Sequence, residues 1–94
     1  MPRYFFDLYN ELTVQDDEGQ EFADLESAKS NALKQVRRLI GGLVVENGRI
    51  DLRHHLKVRD RRGTILHCVQ FEDAVSVARG GPARVIRVLQ SIAA

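Results

Sequence analysis

From Leu25 to Leu43 a single apolar stripe runs through the chain without losing phase. Leu25, Ala28, Ala32, Val36, Leu39, Ile40 and Leu43 recur at three- and four-residue steps, the spacing that gathers side chains on one face of an α-helix. Lys29, Ser30, Lys34, Arg37 and Arg38 fall mostly off that stripe. Asp24 is placed to cap the first turn with its carboxylate, and Glu26 adds favourable negative charge there. Gly41-Gly42 leaves three endings open, because each glycine costs about 1 kcal/mol inside a helix. The helix can stop at that pair, run on to Asn47-Gly48, or give way to a small hairpin, "VVENGRI", turning on Asn-Gly. Leu43 prolongs the stripe, so the expectation is a continuous helix to about Glu46.

Such a helix must bury its stripe against something, and the remaining segments read as strands. In "RYFFDLY" (residues 3–9), Tyr4, Phe6 and Leu8 lie on one side and Phe5, Asp7 and Tyr9 on the other, which predicts a strand covered on both faces. A second, shorter strand carries Leu12 and Val14. "DDEGQEF" (residues 16–22) is expected to be a turn, with Gly19 free to take a positive φ. From Ile50 to Val58 apolar and polar residues alternate, predicting a half-buried strand. Asp60 to Gly63 suits a four-residue hairpin loop, and Ile65 to Phe71 returns. The expected fold is α+β: β-β-α-β-β, a mainly antiparallel four-stranded sheet packed on one long helix.

At 94 residues a single domain is the expected organisation. Its body is placed at residues 1–74, followed by an extension at 75–94 in which Gly80-Gly81-Pro82 precedes a short amphipathic segment. Val85, Val88, Leu89 and Ile92 share one side of that segment and are candidates for tail or dimer contacts. Hydrophobic residues at 44% and charged residues at 29% exclude a disordered chain. No apolar run approaches the ~20 residues that span a bilayer, and "MPRYFFDLY" reads as a strand rather than a secretion signal. A lone Cys68 suits a reducing compartment, so a cytoplasmic location is expected. The net charge of +1 conceals an asymmetry: residues 1–26 hold eight acids and one base, and the rest thirteen bases and five acids.

"LRHHLKVRDRRGTILHCVQF" (residues 52–71) contains all three histidines and the cysteine, and so comes nearest to chemistry. Counting outward from a loop at 60–63, Val58 faces Ile65, Leu56 faces His67, His54 faces Val69 and Leu52 faces Phe71. That register places His54 and His67 diagonally on the inner face, and His55 opposite Cys68 on the outer one. Four ligands split between two faces cannot converge on a zinc ion, and a flat face offers no oxyanion donors for a thiolate. "DDEG" lacks the spacing of a calcium loop, and neither Gly-Gly pair has a phosphate-binding context. No catalytic residue, metal or cofactor is therefore expected. What remains is a basic ridge of Arg53, Lys57, Arg59, Arg61 and Arg62, able to follow an anionic partner, although no aromatic lies on the outer face of either hairpin strand to stack on bases.

Together "MPRYFFDL", "DDEGQEFADLESAKSNAL" and "KVRDRRGTILHCVQFE" resemble domain-of-unknown-function family 6894, short proteins of rhizobia and related alphaproteobacteria. The resemblance covers residues 1 to about 72 and is carried by Pro2 to Phe6, Asp17-Glu18-Gly19, Asp24-Leu25, Ala28, Ala32, Val58, Asp60, Gly63 and Phe71. It implies the β-β-α-β-β order and an aromatic core role at the His67 position, and brings no activity with it. A looser likeness to antitoxins of the hicAB type is a fold-level analogy. The leading expectation is a small non-enzymatic bacterial interaction module that pairs with itself or another protein. The alternative is an antitoxin-like, nucleic-acid-associated regulator using the basic ridge.

Overall fold

The computed structural model describes residues 1–78. The elements, in chain order, are β1 (Arg3–Tyr9), β2 (Thr13–Val14), β3 (Gln20–Glu21), α1 (Leu25–Asn47), β4 (His55–Arg59), β5 (Ile65–Gln70) and α2 (Phe71–Ala74). The α+β expectation and the order of strands around the helix hold. The two-residue β3, which lies inside the expected 16–22 turn, and the one-turn α2 are additions. Val85, Val88, Leu89 and Ile92 lie outside the described residues.

α1 runs unbroken through Gly41-Gly42, which face open space. Asp24 Oδ1 accepts the Ser27 amide at 2.8 Å, and the helix ends where Gly48 turns left-handed (φ 63°) and donates its amide to the Val44 carbonyl. These are the local solutions to the unpaired amides and carbonyls at helix ends. Ala28, Ala32, Val36 and Ile40 form the buried side of α1. They meet Tyr4, Phe6, Leu56, Val58, Val69 and Phe71 in one core. Ala28 and Ala32 are small enough to bring the first half of the helix close to the sheet.

The sheet runs β2-β1-β4-β5, all antiparallel, with β3 pairing the N-terminal end of β1 on the same side as β2. β1 is central, its residues 5–9 facing residues 59–55 of β4. Between β2 and β3 that edge of β1 has a gap, filled by a side chain. Asp16 Oδ2 accepts the Phe6 amide, and its Oδ1 accepts those of Glu18 and Gly19. Gly19 (φ 71°) rests so near the Phe5 ring and Arg3 that an added Cβ would lie within 3 Å of both.

The hairpin departs from the expected pairing in three ways. First, its loop is Arg61 to Gly63, closed by the Asp60 amide on the Thr64 carbonyl, with Gly63 at φ 91°; this is the three-residue connection with a left-handed third residue. Second, a bulge falls between Arg59↔Ile65 and Val58↔His67, so Leu56 faces Val69 and Lys57 faces Cys68. The pairing is one residue from expectation beside the loop and two residues beyond the bulge. A two-residue shift preserves which face each side chain occupies. Leu56, Val58 and Val69 are accordingly buried as expected.

Third, β4 starts at His55, not Ile50. Asp51 Oδ1 captures the Arg53 amide and the His54 amide donates to the Asp51 carbonyl, a local turn that competes with strand pairing. His54 thus lies before the strand, its ring edge-on to Phe71 at 5.5 Å, and is not diagonal to His67. Phe71 does not pair with Leu52; it opens α2, and its amide donates to the His54 carbonyl.

Candidate functional site

α1 covers one face of the sheet. The opposite face is built from alternate residues of β1, β4 and β5: Phe5, Asp7 and Tyr9, then His55, Lys57 and Arg59, then Cys68 and Gln70. The expected basic ridge lies here, but its members differ in how free they are. Arg59 is spent within the fold. Its Nε donates to Asp7 Oδ2 at 2.6 Å, its Nη2 donates to the Asp16 carbonyl at 2.6 Å, and the guanidinium lies 4.5 Å from the Phe5 ring centre.

Asp7 is 1% exposed and accepts the Asp16 amide on its other oxygen. A buried carboxylate needs such compensation, since desolvation costs several kcal/mol per ion. Burial pushes the neighbouring Asp16 carboxyl upward, but the Gly19, Phe6 and Glu18 amides and the Arg59 charge outweigh it and hold it below its ordinary value.

Arg53 is clamped onto both oxygens of Asp51, at 2.9 and 2.7 Å. Those bonds, with the Arg53 amide, hold the Asp51 carboxyl well below the usual carboxylate range against the opposing effect of burial. Lys57 sits 4.7 Å from the centre of the Tyr9 ring, a cation–π arrangement. Arg61 and Arg62 are exposed on the hairpin loop. Of the five ridge residues, Lys57, Arg61 and Arg62 remain without a carboxylate partner among the described residues.

The histidines and the thiol are dispersed. His55 stacks flat on Tyr9, 4.9 Å between ring centres, and faces Gln70 across the strands, while Cys68 faces Lys57; the expected His55–Cys68 pairing does not form. His54 Nε2 lies 3.6 Å from Asp51 Oδ2. The Cys68 thiol is pushed up by burial, with Lys57 lowering it and Asp73 raising it. That environment disfavours a reactive thiolate. Among the described residues no group of three or more His, Cys, Asp or Glu side chains is placed to hold a metal ion, and no helix is long and apolar enough to cross a membrane.

Two features of this surface lay beyond the reading of the sequence. Phe5 and Tyr9 supply aromatics beside Lys57 and Arg59, because β1 lies next to β4. Alternation in "RYFFDLY" places them on one side of β1, but the neighbouring strand could not be read. The other feature is the edge. Among the described residues β5 pairs with β4 alone, and its sequence, "ILHCVQ", has no charged residue and no proline. Lysine, proline and inward charges are the usual protections of a strand edge, and β5 has none; Ile65 at its start is 47% exposed.

A family model described as a domain of unknown function matches residues 3–72, from the first residue of β1 into α2. No curated protein and no solved structure matches the chain.

Proposed function

Because the chain belongs to the family described as domain of unknown function DUF6894, a description that assigns no activity, we propose from the geometry that it is a protein-interaction module that pairs with a second copy of itself through the β5 edge. The observation that carries this is that, among the described residues, Ile65–Gln70 is an outer strand with an unpaired main-chain edge and an exposed Ile65. An antiparallel strand edge is complementary to its own copy about a two-fold axis, so one surface serves both protomers. Pairing β5 with its copy joins two four-strand paths into one continuous sheet, which satisfies the open amides and carbonyls together. The face with the Tyr9–His55 stack then continues across the seam.

Light scattering and sedimentation of the full chain test this reading, with Ile65→Lys as the comparison. Ile65 is exposed, so a lysine there leaves the core intact while placing a charge on the edge. The wild-type chain is expected to show dimer mass and Ile65→Lys monomer mass. A wild-type monomer at every concentration overturns edge pairing.

A second reading has one observation in its favour. Phe5 and Tyr9 share a face with Lys57, and Arg61 and Arg62 stand exposed on the hairpin loop that follows β4, a combination of aromatic and cationic groups suited to single-stranded nucleic acid. The charge spent by Arg53 and Arg59 on Asp51, Asp7 and Asp16 leaves it the weaker of the two. Binding to mixed DNA and RNA that falls steeply with salt would support it, since phosphate contacts release counterions. No binding at low salt would end it.

A further inference from the structure

A groove of about 500 Å³ straddles the outer edge of β5. His67 and Val69 line it from the helix side of the sheet, Cys68 from the opposite face, and Asp73 of α2 completes the wall beside them. A strand added to β5 would enter here, and the main chain decides how it is aligned. The Phe71 amide donates to the His54 carbonyl, next to the Gln70–His55 pair. Hydrogen-bonding direction alternates along an antiparallel ladder, so Val69 and His67, like Phe71, turn their main-chain groups to β4. Those of Cys68 and Gln70 turn away from β4, to the outer edge.

A second β5 related by a two-fold axis can meet these groups in few registers. Centred on His67, Gln70 falls opposite Thr64, whose carbonyl is already taken by the Asp60 amide. Centred on Val69, the overlap shrinks to residues 68–70, because β5 ends at Gln70. Centred on Cys68, residues 66–70 of both copies overlap and Gln70 faces Leu66. Charge favours the same alignment, since it carries the hairpin loop of each copy to α2 of the other. Glu72 and Asp73 open α2 and are exposed. Arg61 and Arg62 are exposed on the loop, with no carboxylate partner among the described residues. The like charges nearest the seam, Lys57 of each copy, stand roughly 14 Å apart, three strand spacings, where salt screens them.

We propose that the β5 edges of two copies pair in the register centred on Cys68, and that Arg61 and Arg62 of each copy bind Glu72 and Asp73 of the other. The alignment rests on the edge pairing proposed above and adds to it two ionic patches. Main-chain hydrogen bonds alone accept any extended strand; the patches select a second copy of this chain.

Cys68 is the only cysteine of the chain and reports the alignment directly. Opposed residues of an antiparallel hydrogen-bonded pair have Cα atoms about 5.5 Å apart, inside the range that a disulfide spans. Diamide, which takes up the two protons and two electrons released, is expected to convert the full chain rapidly to covalent dimer. Cys68→Ser/Gln70→Cys, whose thiols lie far out of line in this register, is expected to crosslink many times more slowly. Arg61→Glu/Arg62→Glu and Glu72→Lys/Asp73→Lys are each expected to weaken the dimer severalfold in sedimentation. An equal mixture of the two is expected to form heterodimers, because every acidic patch then meets a basic one. Light scattering separates the two levels: a wild-type monomer removes edge pairing and the alignment together. Dimer mass without a Cys68 crosslink, or with faster crosslinking at position 70, overturns the alignment and leaves edge pairing standing. Charge variants that dimerise as tightly as the wild type, or that form no heterodimer when mixed, overturn the ionic contacts.

Discussion

Replacing Arg59 with methionine keeps most of the side-chain volume and removes the charge that Asp7 depends on. Asp7 would lose the 2.6 Å bond from Arg59 Nε, Asp16 would lose the donor on its carbonyl, and Phe5 would lose the cation above its ring. Removing one partner of a buried ion pair costs about 3–5 kcal/mol, because the other charge stays buried and uncompensated. Asp7 keeps the Asp16 amide at 2.9 Å, so the lower end applies, about 3 kcal/mol. In a domain of this size that corresponds to a fall in Tm of roughly 12–24 °C. Urea and thermal unfolding followed by circular dichroism measure it directly. The double variant Asp7→Asn/Arg59→Met is expected to cost less than the two single losses added together, by about 2 kcal/mol, since it removes both charges at once. An Arg59→Met loss below about 1 kcal/mol, or single losses that add within about 0.5 kcal/mol, would refute the view that this pair is compensated internally. It would also return Arg59 to the pool of free surface cations.

Gly41→Ala and Gly42→Ala should each stabilise the protein by about 0.5–1 kcal/mol, because both glycines lie inside a helix with open space where a Cβ would stand; a denaturation midpoint that falls would contradict this. At the left-handed positions the sign reverses. Gly48→Ala should cost about 1 kcal/mol from backbone strain alone, whereas Gly19→Ala should cost more, since its Cβ also meets the Phe5 ring; equal losses in urea unfolding would discount the contact. Asp16 governs an acid limb. Its folded pKa lies below the ordinary 3.8, so its contribution is fully present above that value and is lost as pH falls through the folded pKa. Asp16→Asn should therefore cost about 1–2 kcal/mol at neutral pH, and its stability curve should converge on that of the wild type as pH falls through the folded pKa; curves that stay parallel throughout acid titration would remove the linkage.

How far the surface could be read from the residues depended on the range of the interaction concerned. Arg53, Lys57 and Arg59 were legible as one stripe because alternation along a strand is local. That Arg59 is neutralised required Asp7, 52 positions away, and Asp16 in a loop whose carboxylate fills the gap between β2 and β3. The placement of His55 and Cys68 on the outer face followed from alternation along the two strands. The partners did not, because Asp51 ended the strand early and a bulge absorbed Leu66 of β5 opposite Val58 and Arg59.

By itself the sequence determined the start of α1 at its Asp24 cap, the continuity of its apolar stripe to Leu43, and the inward or outward side of the hairpin residues paired beyond the bulge. These depend on three- and four-residue steps, on single side chains reaching neighbouring amides, and on a period of two. Only the tertiary structure decided the register and the neighbours. A slip of one residue would bury Lys57 and expose Leu56, so the apolar pattern forbids it, whereas a slip of two leaves every face unchanged and the pattern cannot detect it. The placement of β1 beside β4 was likewise decided in three dimensions, by a core drawn from five separate strands and helices and by one buried arginine–aspartate pair.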